Sequence, residues 1–177
     1  MLSNLIIYSS TDGQTQLICE RIQKSSNKIE SFKIISIDNV ENENLEKYKQ
    51  IIIGASIRYG KHDKKVFSFV SKYKEILNNK KTAFFSVNVV ARKNAKNTPE
   101  TNPYLIKFIK KTNWKPKKLA VFAGKIDYPK YGFFDKHIIQ LIMFLTNGPT
   151  DLSQSYEFTD WNSVDKFSRE ISGNNDY

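Results

Sequence analysis

The chain has 177 residues, 40% hydrophobic and 13% aromatic, enough for one domain with a real core. No apolar run approaches the ~20 residues that cross a bilayer, and Met1-Leu2-Ser3-Asn4 lacks the basic region and cleavage site of a secretory leader, so none is expected. The net charge of +10 is carried almost wholly by lysine; it permits several kinds of anionic partner and singles out none.

The first apolar run is Leu5-Ile6-Ile7-Tyr8. A helical pattern follows over 14–26 with Leu17, Ile18 and Ile22, and it holds the single cysteine, Cys19, read as a small core residue in a reducing compartment. Phe32-Lys33-Ile34-Ile35-Ser36 alternates in part, as an edge strand does. Ile51-Ile52-Ile53-Gly54-Ala55 is the next strand, and Val66, Val70, Tyr73 and Leu77 mark a helix over 64–77. Ala83-Phe84-Phe85-Ser86-Val87 precedes a helix with Asn102 as N-cap and Pro103 at its first position, burying Leu105, Ile106, Phe108 and Ile109. Leu119-Ala120-Val121-Phe122-Ala123 is followed by a short strand at Tyr156-Glu157-Phe158. A last helix after Asp160 aligns Trp161, Val164, Phe167 and Ile171. The four strong runs are continuous rather than alternating, as parallel strands buried on both faces are. With helices between them, they predict a doubly wound α/β sheet.

Ligands of such sheets bind outside the carboxyl ends of the strands, where strand order reverses. Three loops therefore matter. Ser9, Ser10, Thr11, Asp12, Gly13, Gln14 and Thr15 run from a strand into a helix and offer hydroxyls and free N–H groups to a phosphate, or form only a turn and cap. The loop lacks the lysine of a triphosphate-binding loop and the three glycines of a dinucleotide fingerprint, so a single phosphate fits best. Ala55, Ser56, Ile57, Arg58, Tyr59 and Gly60 follow the third strand and are read either as packing on a flat ring or as an ordinary turn. Ser86, Val87, Asn88 and Val89, continuing to Arg92 and Lys93, would meet the polar edge of an isoalloxazine. His62 and His137 each stand alone and are expected on the surface or on a helix. No metal-ligand cluster is legible.

These segments resemble the menaquinone-dependent, oxygen-independent protoporphyrinogen dehydrogenases. The likeness rests on Tyr8 to Thr15, Ile53 to Gly60 and Phe85 to Lys93, and continues through Thr98-Pro99-Glu100-Thr101-Asn102, Tyr128-Pro129-Lys130-Tyr131, Leu141-Ile142-Met143 and Thr159-Asp160-Trp161. The resemblance implies a flavodoxin-like five-stranded parallel sheet of order 2-1-3-4-5, its last strand interrupted by an insertion over about 125–155. It also implies FMN as cofactor and oxidation of protoporphyrinogen IX with a quinone as acceptor. By position, Ser10 to Thr15 would hold the FMN phosphate and Ser86 to Val89 would line the ring. Arg58, Arg92 and Lys93 are the candidate partners of the substrate propionates.

The insertion carries Tyr128, Tyr131, Phe133 and Phe134, then an apolar helix over about 135–146, too short to span a bilayer. That helix is either buried or lies on a membrane with Lys125, Lys130 and Lys136 at the headgroups. The resemblance favours the second and implies peripheral attachment through about 128–146 to the cytoplasmic face of the bacterial inner membrane. Removing residues 128–150 is expected to abolish activity while leaving FMN bound. An electron-carrier flavodoxin and a nicotinamide-fed quinone reductase are the alternatives. Nucleic acid is not an expected partner, because the basic residues are scattered and fit no recognised motif.

Overall fold

A computed structural model describes residues 2–26 and 31–173. β1 (Leu2–Ser9) leads into α1 (Gln14–Ser25), followed by β2 (Ser31–Ser36), β3 (Gln50–Arg58) and the two-residue β4 (Lys61–His62). Next come α2 (Lys64–Lys72), α3 (Lys74–Asn78), β5 (Lys81–Val87), α4 (Pro103–Thr112) and β6 (Lys118–Phe122). The chain ends with β7 (Lys125–Asp127), α5 (Phe133–Leu145), β8 (Ser155–Glu157) and α6 (Trp161–Ile171).

Five parallel strands lie in the order β2-β1-β3-β5-β6, the predicted 2-1-3-4-5 arrangement, and β4 folds back antiparallel on the end of β3. The register pairs Ile6 with Ile52 and Ile52 with Ala83, so same-face residues form rows across the sheet. Because neighbouring strand residues point to opposite faces, Leu5, Ile7, Ile51, Ile53 and Phe84 pack on α2, α3 and α4, while Ile6, Ile52, Phe85 and Phe122 pack on α1 and α6. That two-sided burial is why the strand sequences are continuous apolar runs. Cys19 lies in the second layer, fully buried, and desolvation pushes its thiol far above the usual range.

The helix signals are largely met. Asn102 accepts from the N–H groups of Tyr104 and Leu105, and Asp160 from those of Asn162 and Ser163. Two apolar residues lie off their stripes: Leu17 is 50% exposed beside Ile18, and Ile106 is 46% exposed beside Leu105. The helix expected over 64–77 breaks at Tyr73, whose ψ of 19° leaves helical geometry while its N–H still donates to Phe69.

The insertion does not re-enter the sheet. β7 and β8 pair only with each other, and the Phe158 N–H returns to the Gly124 carbonyl at 3.0 Å. α5 closes over this ladder through a small cluster of Ile126, Tyr128 and Met143. Among the described residues, no helix is long and apolar enough to cross a membrane.

At Gly54 a Cβ would sit 2.2 Å from the Phe85 ring, so the strand can hold only glycine opposite that phenylalanine. Gly54→Ala is expected to lose about 1–3 kcal/mol in urea unfolding. Combining it with Phe85→Leu should recover part of the loss, whereas simple addition of the two losses would show that the ring is not the obstacle.

Candidate functional site

The carboxyl ends of β1, β3 and β5 and the inner side of the insertion enclose an open cleft. The first loop forms its polar end. Gly13 has a φ of 87° with open space around the missing Cβ, so backbone conformation rather than crowding calls for glycine. No side chain caps α1, and the Ser10 Oγ accepts from the Gly13 N–H at 3.0 Å. Thr15 is fully buried, and its Oγ1 has no hydrogen-bond partner. An uncapped helix N-terminus beside an orphaned hydroxyl suits an incoming anion.

Other members of that loop bind protein. The Gln14 amide donates to Glu157 and Thr159, tying the loop to the returning end of the insertion. Asp12 accepts from Arg58 at 3.1 Å and from the Tyr131 hydroxyl at 3.1 Å.

The second loop is a tight hairpin. Arg58 pairs with Lys61 around Tyr59 and Gly60, both at positive φ (48° and 76°), the geometry of a type I′ turn. The Arg58 guanidinium donates to Asp12 and, at 2.5 Å, to Asp135 on α5, and it sits about 5 Å from the centres of the Tyr59 and Tyr131 rings. The Tyr59 hydroxyl also donates to Asp135; this bond, with Arg58 behind it, holds the Asp135 carboxyl below the usual carboxylate range. Burial, with Asp12 alongside, pushes the Tyr131 phenol up to about 12.

The third loop departs from expectation in its detail. The Asn88 carboxamide is used internally: Oδ1 accepts from the Ala91 N–H and from Asn102, and Nδ2 donates to Ser86. What the loop offers the cleft is main chain and the side chains of Val87, Val89 and Val90.

Most residues predicted from sequence converge here. Ser10, Thr11, Asp12, Gln14 and Thr15 line the cleft, as do Ser56 to Gly60 and Val87 to Val89. Ser9, Gly13, Ala55 and Ser86 are not part of the lining. Arg58 reaches the wall already shared by two carboxylates, whereas Arg92 and Lys93 stand outside the lining. Arg92 instead donates to the Val89 carbonyl and to both Thr146 oxygens, joining the third loop to the end of α5. Sequence reasoning missed Tyr104 of α4 and the inner wall given by Ile126, Tyr131, Ile139, Ile142 and Met143. It also misplaced His62, which is 5% exposed in β4 with Nε2 3.0 Å from the Ser86 Oγ. His137 is on the exposed side of α5. The insertion is therefore no detachable appendage: Tyr131, Asp135 and Thr146 are all bonded to the cofactor loops, so its removal would disturb the cleft itself.

An uncapped helix N-terminus beside an apolar-lined cleft, at the switch point of a 2-1-3-4-5 sheet, fits a protein of the flavodoxin class. A family model described as the flavodoxin domain matches residues 5–153. Flavodoxin 1 from Bacillus cereus shares the fold with a TM-score of 0.56 at 17% identity, covering 97% of both chains. Among sequences, the chain is 39% identical over 171 residues to protoporphyrinogen IX dehydrogenase (quinone) of Escherichia coli, covering 96% of this chain and 94% of the relative. It is 38% identical to the protein of that name from Leishmania major, covering 94% of this chain and 73% of the relative. The chain belongs to the protoporphyrinogen IX dehydrogenase (quinone) family.

The residues present fit FMN: Ser10, Thr11 and Thr15 with the α1 amides would hold its phosphate, and the second and third loops would flank its ring. Thr15→Val removes the orphaned hydroxyl while keeping the shape. The variant is expected to bind FMN about 10–100-fold more weakly by flavin fluorescence, with the apoprotein no less stable. Unchanged affinity would place the phosphate elsewhere.

Proposed function

We propose that this chain oxidises protoporphyrinogen IX to protoporphyrin IX with FMN as cofactor and a quinone as electron acceptor. What carries the reading is near-full-length likeness to relatives of that name, supported by a cleft lined both by hydroxyl residues of the first loop and by apolar side chains. Six hydrogens leave the porphyrinogen in all, and three quinones become three quinols. Held by Ser10, Thr11 and Thr15 with the α1 amides, FMN would supply the two-electron hydride chemistry between porphyrinogen and quinone. The chain's own residues bind, orient and exclude water. Val87, Val89, Val90, Ile139, Ile142 and Met143 line the cleft, a set suited to hydrophobic molecules. Among the described residues, the one arginine in that lining is Arg58, and a substrate carboxylate would have to displace Asp12 or Asp135 to pair with it. Anaerobic turnover of protoporphyrinogen IX with a menaquinone analogue, followed by porphyrin fluorescence, tests the assignment. Growth should require both FMN and quinone. Reduction of the bound flavin by NAD(P)H, with no porphyrin formed, would instead make the protein a quinone reductase.

We further infer peripheral attachment to the cytoplasmic face of the bacterial inner membrane through the outer face of α5. Phe133, Phe134, Leu141, Phe144 and Leu145 project from it, Phe134 78% and Leu145 71% exposed, and Lys125, Lys130 and Lys136 lie close by in sequence. Such a band of apolar side chains beside cations suits the interface of an anionic bilayer. At ~1.5 Å per residue, α5 spans only about 20 Å and would lie in the membrane plane rather than cross it. Flotation with anionic vesicles should carry the wild type. Phe134→Glu with Leu145→Glu should cut vesicle binding at least tenfold while FMN binding and turnover of a water-soluble quinone persist. Equal flotation of the variant would remove α5 as the contact.

A further inference from the structure

His62 connects two of the three cofactor loops. It pairs with Ile57, one step beyond the Arg58–Lys61 pair that closes the type I′ hairpin around Tyr59 and Gly60. Its ring points away from solvent into a box formed by Phe67, Phe84 and Phe108, with centroids 5.0–6.4 Å away. The polar exit from that box is Nε2, 3.0 Å from the Ser86 Oγ at the end of β5.

Asn88 Nδ2 donates to the same Ser86 Oγ, so that hydroxyl sits between the amide and the imidazole. Desolvation lowers the His62 pKa to about 4, so the ring is neutral at physiological pH and offers one donor and one acceptor nitrogen. Beyond Ser86, Asn88 passes the constraint on. Its Oδ1 takes the Ala91 N–H and so caps the 3-10 turn Val89–Arg92, and Asn102, the N-cap of α4, donates to the same oxygen. Val89 and Val90 of that turn form part of the cleft wall.

We propose that His62 is a positioning residue for the flavin, riveting the hairpin loop to the third loop through Ser86 and Asn88 and thereby setting the wall against which the ring lies. The proposal rests on the FMN reading of the cleft. A bare phenylalanine in the same box would fill the space but offer the Ser86 hydroxyl no hydrogen-bond partner in place of Nε2.

His62→Phe keeps the aromatic packing, His62→Gln keeps a polar group near the Nε2 position, and Ser86→Ala removes the middle of the relay. Each is titrated with FMN, and the visible circular dichroism and midpoint potential of the bound flavin are recorded beside apoprotein melting. His62→Phe is expected to weaken FMN binding about tenfold and to change the flavin's visible signature. His62→Gln should return to within about threefold of the wild type, and the His62→Phe, Ser86→Ala double variant should be no worse than either single one. Wild-type affinity and signature in His62→Phe would overturn the proposal, as would a lower melting temperature with an unaltered flavin, or equal impairment in His62→Gln. If His62→Phe does not fold, Ser86→Ala decides: the same flavin change supports the relay and an unaltered flavin overturns it. A wild type that binds no FMN would overturn the cofactor reading and this proposal together, whereas failure confined to the variants overturns only the proposal.

Discussion

Parallel strands can be joined only by crossovers, so every strand-to-helix loop of this sheet emerges at the same edge. The order β2-β1-β3-β5-β6 makes the chain turn one way from β1 and the other way from β3, and the crevice between those departures is where the first and second loops face each other. Everything functional in the molecule hangs on that arrangement. Both faces of the sheet must be covered for it to persist, and the two apolar layers of Leu5, Ile53 and Phe84 on one side and Ile6, Ile52 and Phe85 on the other meet that requirement. The rigid sheet then fixes where the loops begin, and short side-chain bonds fix where they end.

Those bonds do more than close turns. Arg58 holds one carboxylate from the phosphate loop and one from α5, and Tyr59 and Tyr131 share the same two acids. Arg92 secures the far end of α5 to the third loop. The insertion is thus clamped at both ends of its helix onto the cofactor loops. One helix then serves two surroundings, with Ile139 and Met143 turned to the cleft and Phe134, Leu141 and Leu145 turned outward. Isolated surface ion pairs are worth little, but Arg58 is partly buried and belongs to a network of two acids and two phenols, where geometry matters more than any one pair.

Much of this was legible from the residues. Continuous apolar runs identified the central strands because two-sided burial leaves no polar face to alternate, and the cap at Asn102 gave the start of α4. The first loop was legible as part of the cleft because it joins a strand to a helix at the carboxyl edge of the sheet. The inner wall was not. α5 is apolar nearly all round, so its periodicity could not say which side faces the cleft. His62 lies in the segment Lys61-His62-Asp63-Lys64-Lys65, which reads as solvated; only the alternation of a two-residue strand turns that ring inward. The Asn88 side chain misled in the opposite sense, since a polar residue in a binding loop can be wholly occupied in shaping it. Tyr73 breaks a helix without proline or glycine, and no propensity marks the site.

The placement of Cys19 has a consequence for oxidative chemistry. Peroxide attacks the thiolate, and access and acidity decide which cysteines climb from sulfenic to sulfonic acid. The only sulfhydryl of this chain is sealed between α1 and the sheet with its ionisation suppressed. The protein accordingly has no cysteine through which a redox-active cofactor could inactivate it or cross-link it to another copy, and any cysteine introduced on its surface would be the single reactive thiol in the molecule.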